Sequence, residues 1–439
     1  MSARRPSCWG LALVLVCSLA ACGDGTGTSP APATPGAASS TPPAFAAAGD
    51  ANAVPIYVDG GLSAQSHAIP NAIYTDIEIC APGSGRNCAV IPHVLVDTGS
   101  VGLRLLASTI NAANATLLGA LPQASGAAGS VVGECLPFVS GVTWGGVRSA
   151  DLHWGGSNYS GEVAPNIPFQ VIGDTDARVV SPPSGCTHQG TPLQTARALG
   201  GNGIVGIGLF AQDCGIYCAQ NVAPIYFQCT GPGACNAVAM PVAQQIPNPV
   251  AAMPSDNNGS LITLPGGAAP QASGLLVLGI GTRLNNALPA SSAILGTDVN
   301  GYFTASFNGN TLARSFFDSG SSANFMPTTG TVSLPPCSFG TLAGTGYLCP
   351  TSALTLVSSN SGSSSTSATA SVLIVNANSA VTSDPGDNVI PGLAAGDNLI
   401  GQSLDLGASF FFGRTIATLI ENQSAPGFPV SGPAVGYAP

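Results

Sequence analysis

Asp97-Thr98-Gly99-Ser100 closes the apolar run Val90 to Val96, and Asp318-Ser319-Gly320-Ser321 recurs in the second half of the chain. One Asp-(Ser/Thr)-Gly-Ser tetrapeptide says little, because it arises by chance in roughly one chain in twenty to thirty of such composition. Two copies, one per half and each placed after a strand-like run, say more. An aspartate that merely caps its own Asx-turn would explain either copy alone but not the duplication. The repeat also extends past the tetrapeptides, to Gly203-Ile204-Val205-Gly206-Ile207-Gly208 in the first half and Leu406-Gly407-Ala408-Ser409-Phe410 in the second. Each half therefore reads as strand, Asp turn, further strands, and an apolar-apolar-Gly element.

Composition points to an all-β protein. Of 439 residues, 45% are apolar and only 7% charged, with 57 glycines and 36 prolines. Short strands joined by tight turns suit that mix, whereas surface helices need abundant Glu, Lys and Arg on their wet face. Alternation predicts a half-buried strand over Ala72 to Cys80, with Ile73, Thr75, Ile77 and Ile79 on one face. Further strand-like runs are Ser149 to Trp154, Phe169 to Gly173, Leu261 to Leu264, Leu275 to Leu278, Tyr302 to Phe307, Ser371 to Val375 and Thr415 to Glu421. The Ser-rich stretch Ser358 to Ser367 reads as a surface loop. All ten basic residues are arginines and the net charge is -10. No basic stripe exists to displace phosphate counterions, which excludes nucleic acid as a partner.

The N-terminus reads as an export signal. Arg4 and Arg5 precede the apolar Leu11 to Leu19, and Leu19-Ala20-Ala21-Cys22 resembles a bacterial lipobox. The expected organisation is a lipoprotein signal peptide over 1–21, a Pro/Ala/Ser/Thr tether over 22–53 lipidated at Cys22, an N-terminal lobe over 54–250 and a C-terminal lobe over 251–439. Gly23, rather than Asp, after the cysteine implies the outer membrane of a bacterial envelope, with the body periplasmic or surface-facing. The lipid is then the protein's only contact with the membrane. Cys8 and Cys17 leave with the signal, so ten of the 13 cysteines remain for up to five disulfides. Cys80 and Cys88 flank a Pro-Gly-Ser-Gly turn, Cys337 and Cys349 close a second short loop, and Cys135 is set against Cys186. Cys214, Cys218, Cys229 and Cys235 lie so close together that three pairings stay open. His67, His93, His153 and His188 lack metal-binding spacing, and no metal or other cofactor is expected.

With its paired Asp loops and apolar-apolar-Gly elements, the chain resembles the pepsin-like aspartic endopeptidases over Pro55 to Pro439. More narrowly, it resembles a proteobacterial lipoprotein family catalogued as a domain of unknown function. The resemblance implies a bilobal acid-protease barrel fold with one catalytic Asp loop per lobe. Gly203 to Phe210 and Asp405 to Ile420 would be the strands that cross each loop, Gly274 to Gly281 the strand opening the second lobe, and Gly432 to Pro439 the final strand. Asp97 and Asp318 would be catalytic. Thr98 and Ser319 would bond across the lobes, Ser100 and Ser321 would bond the outer carboxylate oxygens, and Gly99 and Gly320 would permit the tight turns. Two carboxylates a hydrogen bond apart share one proton, as pepsin's do. Such a pair activates water against a peptide bond with no covalent intermediate. The implied partner is a peptide or protein substrate, met by a monomer.

Two positions depart from the pattern. The family's flap tyrosine falls at or near Phe138, and its tryptophan partner at Arg104. Trp144 reads either as a replacement flap aromatic or as a core residue. Arg104 reads either as a cleft residue preferring acidic side chains or as the cap of a sheet edge. The altered flap keeps a second function open, a non-catalytic lipoprotein of the same fold holding a peptide or glycan in its cleft. The Gly203 to Gly208 glycines lack the helix and the acidic partner of a nucleotide loop.

Overall fold

The computed structural model describes residues 45–62, 68–396 and 403–439. The expected signal peptide, Cys22 and most of the tether lie outside the described residues. Part of the stretch expected as tether packs on the body instead. Ala46 is buried against the Leu261, Val277 and Leu419 side chains, and its N–H donates to Asn285 O at 2.9 Å. Small residues that read as linker composition can also pack where a sheet leaves room only for a methyl group.

The chain is all-β, and no described α-helix exceeds seven residues. The first half supplies β1 Ala53–Val58, β2 Tyr74–Cys80, β3 Cys88–Asp97, β4 Val101–Leu106, β5 Val131–Phe138, β6 Gly141–Trp154, β7 Glu162–Ile172, β8 Gly203–Ile207, β9 Tyr226–Gly231 and β10 Ala234–Ala237. The second supplies β11 Gly259–Leu264, β12 Ala272–Leu278, β13 Ala293–Gly296, β14 Phe303–Phe307, β15 Asn310–Asp318, β16 Asn324–Met326, β17 Leu354–Ser361 and β18 Ser367–Ile374. It ends with β19 Ala394–Gly396, β20 Asp405–Gly407, β21 Arg414–Leu419 and β22 Ala434–Ala438. No helix among the described residues is long and apolar enough to cross a membrane.

Fifteen strands form one sheet in the order β10-β9-β5-β6-β7-β4-β8-β3-β2-β1-β12-β11-β21-β22-β13, and seven form another, β18-β17-β14-β15-β20-β16-β19. The larger sheet does not stop at the division expected between 250 and 251. β1 pairs antiparallel with β12, from Ala53 opposite Val277 to Val58 opposite Ala272, so the first strand is built into the second half's sheet.

Alternation sorts Ile73, Thr75, Ile77 and Ile79 to the buried side and leaves Asp76 and Glu78 half exposed, but Tyr74, which shares the outer face with them, is buried too, its hydroxyl donating to Gly200 O at 2.7 Å. The Ser-rich stretch, however, is mostly a hairpin. β17 runs to Ser361 and β18 starts at Ser367, with Ser358 and Asn360 buried. Serine composition hid a period-2 pattern whose inward positions are polar. Five disulfides join Cys80–Cys88, Cys135–Cys186, Cys214–Cys218, Cys229–Cys235 and Cys337–Cys349, which settles the four clustered cysteines as two local loops.

One substructure occurs twice. β3 runs parallel to β8, β8 antiparallel to β4, and β4 parallel to β7. In the second half β15 runs parallel to β20, β20 antiparallel to β16, and β16 parallel to β19. The registers correspond, with Asp97 opposite Gly206 and Asp318 opposite Gly407. Each central strand passes so close to the Asp turn that a Cβ has no room. One on Gly206 would lie 2.7 Å from the Val101 backbone, and one on Gly407 2.0 Å from Ala323 O. Backbone cannot yield as a side-chain tip can, so Gly407→Ala is expected to destabilise the protein by about 3 kcal/mol or more, read by denaturant unfolding.

Candidate active site

The two Asp turns meet where the duplicated substructures face each other. Thr98 N–H donates to Ser319 Oγ at 3.0 Å, and Ser319 N–H donates to Thr98 Oγ1 at 2.9 Å. Each hydroxyl then passes its own proton to a carbonyl of the opposite half, Ser319 Oγ to Val96 O at 2.7 Å and Thr98 Oγ1 to Phe317 O at 3.4 Å. All four residues are almost sealed from solvent. Buried donors without partners cost about 1–3 kcal/mol each, so this reciprocal set fixes the two turns against each other.

The aspartates follow from that lock. Gly99 N–H and Ser100 N–H donate to Asp97 Oδ1 at 2.8 and 3.1 Å, and Ser100 Oγ donates to Oδ2 at 2.5 Å. Asp318 receives Gly320 N–H on Oδ1 and Ser321 Oγ on Oδ2, both at 2.8 Å. A Cβ on Gly99 would come within 2.6 Å of the Asp318 carboxyl, and one on Gly320 within 2.8 Å of the Asp97 carboxyl. Each carboxyl thus sits against the glycine of the opposite turn, which brings the two side chains together. Burial first, and then the Asp97 charge, push the Asp318 carboxyl up to about 7.

Of the residues singled out in the sequence, Asp97 to Ser100 and Asp318 to Ser321 are thus brought together. The aromatic candidates are not. Trp144 is 1% exposed, donates Nε1–H to Val179 O at 2.7 Å and packs edge-on against Phe227, which makes it a core residue of the β5–β6 hairpin. Phe138, at the end of that hairpin, is half-buried against the cluster of Leu106, Ile172, Leu193, Leu199 and Ile204. Arg104 neither faces a cleft nor caps an edge. It is fully buried, its guanidinium donating to Glu134 Oε1 at 2.7 Å, Asp213 Oδ2 at 3.1 Å and Val101 O at 2.6 Å. Arg104 therefore braces the strand that leaves the Asp97 turn. Burial and the neighbouring Glu134 push Asp213 well above the usual carboxylate range.

Sequence reading missed those acids because they lie 30 and 109 residues from Arg104. It also missed Asn71. This buried residue, at φ 63°, sends its Nδ2 to Ser322 O, Ile390 O and Ser409 Oγ within 3.0 Å. It ties the first half to the turn just past Ser321. Asp405, an acid set inside an apolar strand, was legible as an oddity: Ser321 Oγ lies 2.8 Å from its Oδ2. The one cluster with metal-donor spacing among the described residues is Glu78, Cys80 and Cys88, whose two sulfurs are spent in a disulfide.

Fold and site together define an all-β protein whose duplicated halves each contribute an aspartate to one interlocked pair. The chain belongs to the family described as "Protein of unknown function (DUF3443)", whose model matches residues 48–437. No curated protein matches it.

Two predictions follow from the buried charges. Arg104→Met leaves Glu134 and Asp213 facing each other without their cation, and is expected to cost about 3–5 kcal/mol in denaturant unfolding at pH 7. A carboxyl raised in the folded state is protonated there while the unfolded chain has already ionised. Its stabilisation is full below the unfolded value near 4 and is lost as pH rises through about 7. The melting temperature should therefore fall between pH 4 and pH 7. Asp318→Asn should flatten that slope in part, with Asp213 and Glu162, both raised, supplying the remainder.

Proposed function

We propose that this chain is a pepsin-like aspartic endopeptidase of the bacterial envelope, bilobal, with Asp97 and Asp318 as its catalytic pair. The observation that carries the reading is the pair of carboxyls brought together across the two turns, each held by the serine and glycine of its own turn. Two such groups cannot both ionise cheaply, so near neutral pH they hold a single proton. The ionised member takes a proton from a water, whose oxygen attacks the carbonyl carbon of a peptide bond. The protonated member gives its proton to the carbonyl oxygen. As the tetrahedral intermediate collapses, the C–N bond breaks and the proton taken from water passes to the leaving nitrogen. The cross-half hydroxyl lock supports the reading because a reacting pair must be held still in the transition state.

The substrate is a peptide or protein, and the body acts as a monomer tethered through lipid on Cys22, as the lipobox-like Leu19-Ala20-Ala21-Cys22 suggests. A second reading, a lipoprotein of the same fold that binds a peptide or glycan without cleaving it, is favoured by the buried Trp144 and by the charge at Arg104. Neither of these provides the flap pair of an active pepsin.

The test uses purified residues 45–439 with an unfolded protein substrate at pH 3 to 7, peptides being read by mass spectrometry. Cleavage is expected, and Asp97→Asn should lower its rate at least about 100-fold. Equal cleavage by the variant, or none by wild type, removes the endopeptidase reading. Peptide binding that survives the substitution in a protein that does not cleave would select the second.

A further inference from the structure

Two sheet edges lie side by side in the second half. At one end of the larger sheet β13 pairs only with β22, and at one end of the smaller sheet β18 pairs only with β17. The edges touch at Gly296, where Ser363 N–H donates to Gly296 O at 2.8 Å and Gly296 N–H donates to Thr366 Oγ1 at 2.9 Å. Beyond that point β13 and β18 share no ladder. A cavity of about 380 Å³ opens there instead, walled by Ala293 of β13, Thr369 and Ser371 of β18, and Phe410, Arg414 and Tyr437. Asp97 and Asp318 do not line it. The rings of Phe410 and Tyr437 pack on Phe317, the residue before Asp318, and stand between the cavity and the Asp turns.

Arg414 sits in this gap. Its Nη1 donates to Phe410 O at 2.7 Å, its Nη2 donates to Ser371 O on the β18 edge at 3.1 Å, and its guanidinium lies 4.0 Å from the centre of the Phe410 ring. A guanidinium has more N–H groups than these two bonds use. Among the described residues Arg414 has no acid to meet them. Arg104, Arg148, Arg178 and Arg283 each hold a carboxylate within 3.1 Å, whereas no ion pair reaches Arg414, from Pro439 in the same cavity wall or from elsewhere. Arg86, Arg197 and Arg314 also lack an acid but are exposed to water, while Arg414 is half-buried. Burial moves its pKa down from the ordinary arginine value, and the Tyr437 phenol offsets this only in part. A cation held partly out of water without a counter-charge is costly, and an anion entering the cavity would remove that cost.

We propose that the gap between β13 and β18 binds the C-terminal end of an extended peptide, with the terminal carboxylate paired to Arg414 and an apolar last side chain against the rings. Charge complementarity selects the carboxylate, since a guanidinium fork matches its two oxygens. The strand edges select a peptide to carry it, because an unpaired edge offers backbone N–H and C=O groups that an added strand satisfies. Phe410, Phe412 and Tyr437 supply the apolar wall. The volume is that of a small-ligand site, about 300–1,000 Å³, and takes a few residues rather than a folded partner. The inference does not rest on the endopeptidase reading, because the gap is separate from the Asp turns.

The probe is the peptide Ser-Thr-Val-Ala-Phe with fluorescein on its N-terminus, made once with a free C-terminal carboxylate and once as the amide. Binding near pH 7 is read by fluorescence anisotropy on the wild-type and Asp97→Asn proteins, which separates binding from any loss of probe to cleavage. The acid should bind both proteins alike, and the amide should bind at least about 10-fold more weakly. Arg414→Met removes the cation, and Ala293→Phe fills the gap from the opposite wall; each should weaken the acid at least about 10-fold. Unlabelled phenylpropionate, which has a carboxylate and a ring but no backbone, should compete at least about 10-fold less well than the unlabelled peptide. Equal affinity for acid and amide, or no binding of the acid, overturns the proposal. Binding that outlives both variants belongs to the cleft between the Asp turns and overturns it too. Phenylpropionate competing as well as the peptide overturns the peptide assignment. If Arg414→Met does not fold, the acid and amide comparison on wild type and the Ala293→Phe variant still decide. A protein that binds the acid as expected and cleaves nothing defeats the endopeptidase reading alone.

Discussion

Thr98 and Ser319 each take the other's backbone N–H and return a proton to a carbonyl of the opposite half, and the rest of the site depends on this exchange. Neither half can satisfy these groups by itself, since the donors and acceptors alternate across the junction. With water excluded, a shift of either turn by an ångström would strand several polar atoms at once, which makes the lock stiff as well as strong. The carboxyl pair inherits its spacing from that stiffness. Asn71 adds a second tie outside the pair, reaching the carbonyls of Ser322 and Ile390 from the first half.

Much of this was legible in the sequence. The two tetrapeptides, the apolar strands leading into them and the glycines at 206 and 407 are all local signals, and all of them fall where the duplicated strands cross. Three of the five disulfides were legible too, because short loops and an even count restrict the choice. What stayed hidden was non-local. Arg104 could be placed on a strand, but its acids come from β5 and from the loop after β8, and no periodicity announces a buried charge neutralised from so far away. Trp144 illustrates the complementary difficulty. A tryptophan beside two glycines near a hairpin end suits either the surface or the core, and only its Nε1–H bond to Val179 O and its contact with Phe227 decide for the core.

The two halves are not simple duplicates. Ile204 on β8 and Asp405 on β20 occupy matching registers, so only the second half carries a buried acid at that place beside its Asp turn. A buried acid is costly unless its proton or its charge is accommodated, and here Ser321 gives it a partner.

The place of β1 has a consequence for the order in which the protein can assemble. The first strand lies between β2 and β12, and the last strand, β22, lies between β21 and β13, so both chain ends are threaded into the same sheet. An N-terminal strand emerging during synthesis meets β2 quickly but waits about two hundred residues for β12, and β13 in turn waits roughly 140 residues for β22. Until β22 arrives, β21 and β13 each expose an unpaired strand edge. Arrival of β22, after β12 has joined β1, is therefore what links β13 to the rest of the larger sheet.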